Sequence, residues 1–207
     1  MIDPVFFEKQ GLLFYRPHFF TPAELNELHA ILKTCPEDMA PVYTQTGGKQ
    51  LNASDRKTAQ IDISAAMREA ISQKLYTQKT AFENFFKLQL SGCEAPAVLK
   101  YLTGYYFRAH RDWKAELNHQ PELADMRPRQ VSAIIFLSEQ VEQTPGEREY
   151  QGGELVIYAS LQGKSDKLIG LPVKAEPGAL IAFRSDLMHE VKPVLAGERI
   201  TLVTWMF

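Results

Sequence analysis

The chain has 207 residues, of which 45% are hydrophobic and 23% charged, so it is long enough to bury a sizeable core and is ordinary in composition for a globular protein. A formal net charge of -2 gives no electrostatic reason to expect nucleic acid or an anionic membrane as a partner. Two cysteines, Cys35 and Cys93, are too few for a disulfide framework, and no apolar run approaches the roughly 20 residues of a membrane span.

The first hundred residues read mainly as helix with one or two strands, beginning with the apolar run from Gly11 to Tyr15. Thr21 can cap a helix, with Pro22 at its first position and Glu24 completing a capping box. Leu25, Leu28, Ile31 and Leu32 then form an apolar stripe. A second helical stretch is predicted from about Ser64 to Leu88, with Met67, Ile71, Leu75, Phe82, Phe85 and Phe86 mostly on the side that meets a sheet. Residues 44–58, polar and containing Gly47 and Gly48, read as a loop able to cover a site.

From Ala97 the pattern becomes extended. Short runs are predicted at Val98–Leu102, Tyr105–His110, Val131–Leu137, Glu154–Tyr158, Leu168–Lys174, Ala179–Arg184 and Ile200–Phe207, punctuated by Gly104, Gly152 and Gly153, Pro177 and Gly178, and Gly197. Many short strands at this spacing indicate a sandwich or barrel. One domain over 1–207 is expected, with 1–96 as helical support and 97–207 as the β core. The 113–129 connection is long for a hairpin and suits either a lid or a solvated loop.

His110 and Asp112 lie two positions apart, so an extended chain sends both side chains to one face, the requirement for joint metal ligation. His189 can supply a third ligand from a distant strand. Two imidazoles and a carboxylate on one face of an octahedron leave three positions open, the arrangement of non-haem ferrous oxygenases, whereas zinc favours tetrahedral closure. The ligand set alone does not exclude zinc. Arg199 enters an apolar strand, where a buried cation needs a fixed anion, and its planar fork suits a carboxylate. Thr201 shares its strand face.

His18, His29 and His119 have no partners at ligand spacing and read as surface or helix residues. Arg108 alternates in phase with His110, facing either the pocket or solvent. Trp113 suits packing or a substrate wall.

The order His110-x-Asp112, His189, then Arg199 resembles the 2-oxoglutarate and Fe(II)-dependent oxygenases, in particular their prolyl 4-hydroxylase-like branch. Tyr101 and Gly104, the Gly152-Gly153-Glu154-Leu155 turn, Pro177-Gly178 and Trp205 add to the likeness, which spans Tyr101 to Phe207. The resemblance implies a mainly β fold with α elements: a double-stranded β-helix, the jelly roll of cupin-like proteins, with the N-terminal helices packed on one sheet. It implies Fe(II) held by His110, Asp112 and His189, and 2-oxoglutarate held by Arg199 and Tyr101, where the Thr201 hydroxyl, on the strand face of Arg199, can assist. For Tyr101, nine residues before His110, strict alternation opposes a shared face, and a turn at Gly104 can restore it.

The implied reaction is hydroxylation of an unactivated C–H bond with O2 and 2-oxoglutarate, releasing succinate and CO2, with ascorbate keeping the iron reduced. A prolyl residue of a peptide or protein is the favoured substrate, ahead of a small molecule. A reducing cytoplasm suits ferrous iron. Two rivals stand beside this reading: a cupin-like zinc or manganese hydrolase or isomerase, which leaves Arg199 without a reason, and a catalytically silent binding or sensing module.

Overall fold

The computed structural model describes residues 1–40, 54–113, 127–160, 167–174 and 176–207, with the backbone alone at 42–43 and 49–50. Four helices lie among the described residues: α1 (Pro4–Lys9), α2 (Pro22–Leu32), α3 (Ala65–Tyr76) and α4 (Lys79–Phe86). The capping box of α2 forms as expected. Glu24 N–H donates to Thr21 Oγ1 at 3.3 Å, and Thr21 N–H donates to the Glu24 carboxylate at 2.8 Å.

The helical stretch predicted from Ser64 to Leu88 is two helices rather than one. Thr77 Oγ1 donates to the carbonyl of Lys74 at 2.6 Å, a local side-chain bond that competes with helix continuation. Helix α4 ends at Lys87, which adopts a left-handed conformation with φ 56.

Two antiparallel sheets face each other. The major sheet runs in the order Phe14–Arg16, Leu180–Arg184, Val131–Phe136, Arg199–Met206, Ala97–Tyr101, Ala59–Ile61, Glu37–Met39. The minor sheet runs Ile169–Val173, Leu155–Ala159, His189–Val191, Tyr106–His110, Arg56–Lys57. From Ala97 onward the chain winds between the two sheets, so that eight of the described strands after that point, four in each sheet, form the expected jelly roll. The turn at Leu102 to Tyr105 makes the first crossing, closed by Tyr105 N–H donating to the Leu102 carbonyl at 2.8 Å, with Gly104 at φ 79.

The major sheet is covered on both faces, which explains why its central strands read as continuous apolar runs. Val131, Ala133, Ile135, Leu180, Ala182, Leu202 and Met206 pack with the helices against Leu28, Ile71, Leu75, Phe82 and Phe86. The alternate residues Ile134, Phe136, Ile181, Phe183 and Val203 pack with Leu155, Ile157, Leu171, Val173 and Val191 of the minor sheet. Phe82 is fully buried, and cutting such a side chain back to alanine costs about 3–5 kcal/mol.

The first hundred residues contain more strand than expected. Phe14–Arg16, Glu37–Met39 and Ala59–Ile61 extend the major sheet, and Arg56–Lys57 pairs with Tyr106 and Phe107 at the edge of the minor one. The expected cover over 44–58 thus has a paired edge strand at its end, while 44–48 and 51–53 lie outside the described residues. Most of the connection 113–129, including Glu116, His119, Glu122 and Asp125, also lies outside them.

A small third sheet joins Glu139–Gln140, Glu149–Gly152 and Val194–Gly197, and sends Tyr150 and Val194 into the space between the two large sheets. Cys35 and Cys93 are free thiols. No helix among the described residues is long and apolar enough to cross a membrane.

Candidate metal centre

His110 ends one minor-sheet strand and His189 opens the next, and the antiparallel register sets them directly opposite each other. Asp112 follows two residues after His110, just past the strand end. The ligand atoms of His110, Asp112 and His189 all lie within 4.8 Å of one another. His110 Nε2 is 3.5 Å from Asp112 Oδ1, and His189 Nε2 is 3.6 Å from Asp112 Oδ2. This is the one three-residue cluster of potential ligands among the described residues.

Both rings are aimed by the same device. Nδ1 of His110 is 2.8 Å from the carbonyl of Arg108, and Nδ1 of His189 is 3.0 Å from that of Leu187. A carbonyl can only accept, so each Nδ1 carries the proton and each Nε2 lone pair faces the centre, as a metal ligand requires. The Phe107 ring stacks on His110 at 3.5 Å between centroids, and Phe183 meets His189 edge-on at 4.8 Å.

The electrostatics suit a cation. Burial opposes ionisation of Asp112, yet His189, His110 and the Ser132 hydroxyl together hold its carboxyl well below the usual carboxylate range. Burial lowers the His189 pKa to about 4, with the Asp112 charge opposing. At neutral pH the centre therefore combines a carboxylate with a neutral His189 imidazole.

Two hydroxyls at this centre escaped the sequence reading. Ser132 Oγ donates to Asp112 Oδ2 at 2.6 Å and lies 2.9 Å from Ser185 Oγ. Both serines are buried. Ser132 is the one polar residue in the run Val131–Phe136, on the face turned toward the minor sheet, and that interruption was the available signal.

Arg199 is 1% exposed and directly opposite Tyr101 across paired strands. Its guanidinium sits 5.1 Å from the Tyr101 ring centroid and 5.9 Å from that of Phe136. Nη1 is 3.4 Å from Thr201 Oγ1, while Nε and Nη2 have no hydrogen-bond partner among the described residues. No carboxylate pairs with it there either. Phe136, near Arg199, and Phe183, beside His189, belong to one apolar cluster, so the cation and the cluster of ligands border the same interior.

The parity difficulty for Tyr101 disappears because the chain changes sheets at Gly104. Tyr101 points inward from the major sheet and His110 from the minor one. Arg108 is exposed, so its side chain faces solvent rather than the pocket, and Trp113 is buried with its backbone N–H donating to the Ser185 carbonyl at 3.0 Å. His18 is exposed. His29 lies in α2 as expected but is buried, with Nε2 2.6 Å from the Leu137 carbonyl.

Residues 96–207 match the model of the 2OG-Fe(II) oxygenase superfamily. The chain is 28% identical over 163 residues to a PKHD-type hydroxylase of Shewanella baltica, covering 78% of this chain and 64% of that protein. It is 32% identical over 111 residues to a PKHD-type hydroxylase of Alteromonas mediterranea, covering 54% of this chain and 42% of that one. The chain thus spans less than two thirds of the length of these relatives. Among solved structures it is similar to a Pseudomonas putida prolyl-4-hydroxylase, with a TM-score of 0.63 at 21% identity over 98% of this chain and 95% of the other. It is also similar to a Trichoplax adhaerens prolyl hydroxylase in complex with a hypoxia inducible factor oxygen degradation domain peptide, with a TM-score of 0.63 at 17% identity over 98% and 86%. These structural likenesses concern the fold, and it is the jelly roll. Matched by the family model over more than half its length, the chain belongs to the 2OG-Fe(II) oxygenase superfamily.

Proposed function

We propose that this chain is a 2-oxoglutarate- and Fe(II)-dependent dioxygenase that hydroxylates a prolyl residue of a peptide or protein. The observation that carries the reading is Arg199: a fully buried guanidinium with two unpartnered nitrogens, bordering the same interior as a His-Asp-His cluster. A buried cation left without a partner costs several kcal/mol, so an anion of matching shape belongs beside it. The far carboxylate of 2-oxoglutarate is such an anion.

In this reading His110 and His189 would hold ferrous iron through Nε2 and Asp112 through a carboxylate oxygen, three protein ligands that would leave room for 2-oxoglutarate and O2. Iron with bound 2-oxoglutarate would supply the oxidising chemistry, each turnover consuming O2 and 2-oxoglutarate and giving the hydroxylated carbon, succinate and CO2. The protein's own work is positional. The Arg108 and Leu187 carbonyls lock the two imidazoles, Ser132 holds Asp112, and Arg199 with Tyr101 and Thr201 anchors the far end of the co-substrate. Phe107 packs on one face of the His110 ring and Phe183 packs edge-on against His189.

Support for a prolyl substrate comes from what the chain is similar to, including a prolyl hydroxylase seen with a peptide. The proposal treats residues 1–207 as one working unit in a reducing compartment such as the cytoplasm, where ferrous iron persists, with ascorbate as supporting reductant. A zinc or manganese hydrolase at the same cluster would leave Arg199 unexplained, and a silent binding module would have no use for open ligand positions. Succinate release, measured over a panel of proline-containing peptides, free amino acids and small metabolites, tests the proposal. Stimulation by proline peptides alone supports it, and stimulation only by small metabolites overturns the prolyl assignment.

A further inference from the structure

Tyr150 comes from the strand Glu149–Gly152 of the small third sheet, outside the eight strands that build the jelly roll. Its side chain nevertheless reaches the interior between the large sheets and is 1% exposed. Its hydroxyl is buried and has no hydrogen-bond partner among the described residues. An unpaired buried hydroxyl costs about 1–3 kcal/mol, and such groups in native proteins ordinarily have a partner.

The neighbourhood identifies that partner's chemistry. Both side chains pack against Gly153, which adopts φ 61: a Cβ built there would lie 3.2 Å from Arg199 Cδ and 3.3 Å from Tyr150 Cδ2. Burial pushes the Tyr150 phenol up from its ordinary pKa, the Arg199 charge and the approach of its guanidinium to the hydroxyl oxygen oppose, and the Glu154 charge adds to the rise, so the hydroxyl keeps its proton at neutral pH and can donate it. Tyr101 offers the guanidinium the face of its ring, and Phe136 has no polar atom to offer. Tyr150 and Arg199 present buried donors that no described residue accepts from, and no carboxylate among those residues is ion-paired to Arg199, so together they are complementary to a single anion.

We infer that Tyr150 is a second anchor for the far carboxylate of 2-oxoglutarate, its hydroxyl donating to the anion that pairs with Arg199. The inference rests on the proposed role of Arg199. It also gives the small third sheet a function, since that sheet carries a binding residue to the co-substrate.

The test is binding, measured by calorimetry under anaerobic conditions on the ferrous-loaded protein. Tyr150→Phe keeps the ring and its packing while removing the hydroxyl. Its affinity for 2-oxoglutarate is expected to fall about tenfold to a hundredfold, the range of a hydrogen bond to a charged group. Its affinity for 2-oxovalerate, which keeps the chelating 2-oxo acid but lacks the far carboxylate, should equal that of the parent. Unchanged 2-oxoglutarate affinity, or an equal loss for both ligands, overturns the inference. Arg199→Ala measured alongside separates the two claims: if it binds 2-oxoglutarate as the parent does, the role of Arg199 itself fails, and if it alone loses affinity, only Tyr150 is displaced.

Discussion

His110 and His189 stand opposite each other on adjacent antiparallel strands, with ring centroids 4.2 Å apart and both Nδ1 atoms tied to carbonyls two residues earlier in the chain. The pairing register thereby does the work of orientation, and Asp112 needs only to turn in from the strand end to complete a three-sided centre. What stabilises this arrangement without a cation, and what it costs, can be measured.

Burial lowers the pKa of His189 to about 4, and burial also lowers that of His29 despite its carbonyl partner at Leu137. The unfolded chain takes up these protons near pH 6.5 while the folded chain does not, so it binds more protons as the pH falls. Stability of the metal-free protein is therefore complete above about pH 6.5 and declines toward pH 4. The His189 shift alone corresponds to roughly 3 kcal/mol. Urea denaturation in the presence of chelator across this range should show the decline, and His29→Gln should make it shallower. A midpoint independent of pH between 7 and 4.5 would show that these imidazoles are not buried in neutral form.

Arg199 should trade stability for binding. Replacing it with methionine removes two unpartnered buried nitrogens, and is expected to stabilise the metal-free, co-substrate-free protein by about 1–3 kcal/mol. The same variant should bind 2-oxoglutarate at least about thirtyfold more weakly, in line with about 2–5 kcal/mol for truncating a buried charge partner. Thermal melts with and without co-substrate read both effects. A variant less stable than the parent when free would mean that Arg199 already has a partner.

Ser132 should matter through Asp112. Its hydroxyl holds Oδ2, so Ser132→Ala frees the carboxylate to rotate away from the centre. Metal affinity measured by competition with a coloured chelator should fall about tenfold to a hundredfold, as for other residues that orient metal ligands. Ser185→Ala, one hydroxyl further out, should lose less. Equal affinity in Ser132→Ala and the parent would reduce Ser132 to packing.

The His-Asp-His cluster was legible because part of its signal is local: His110 and Asp112 stand two apart at the end of an extended run, and Arg199 among apolar neighbours demands an anion. The capping box at Thr21 and the strands from Ala97 onward were legible for similar reasons. What escaped depends on contacts across the fold. The break at Thr77 is one side-chain bond that competes with a good helical pattern. The Arg56–Lys57 strand exists because Tyr106 and Phe107 offer an edge to pair with. Helix α1 is only six residues long, held by the Asp3 cap and Pro4 rather than by an apolar stripe. Ser132, Ser185 and Tyr150 carry no motif, and their meaning appears only when Asp112 and Arg199 are brought beside them.

The central claim is that three side chains hold ferrous iron while Arg199 anchors a 2-oxo acid chelating it. Anaerobic titration of the iron-loaded protein with 2-oxoglutarate, followed by visible absorbance, tests it most directly. A weak charge-transfer band that saturates in the parent, is lost in His189→Ala, and requires far more 2-oxoglutarate in Arg199→Ala is the expected result. A parent protein that stays colourless at saturating iron and 2-oxoglutarate would contradict the account.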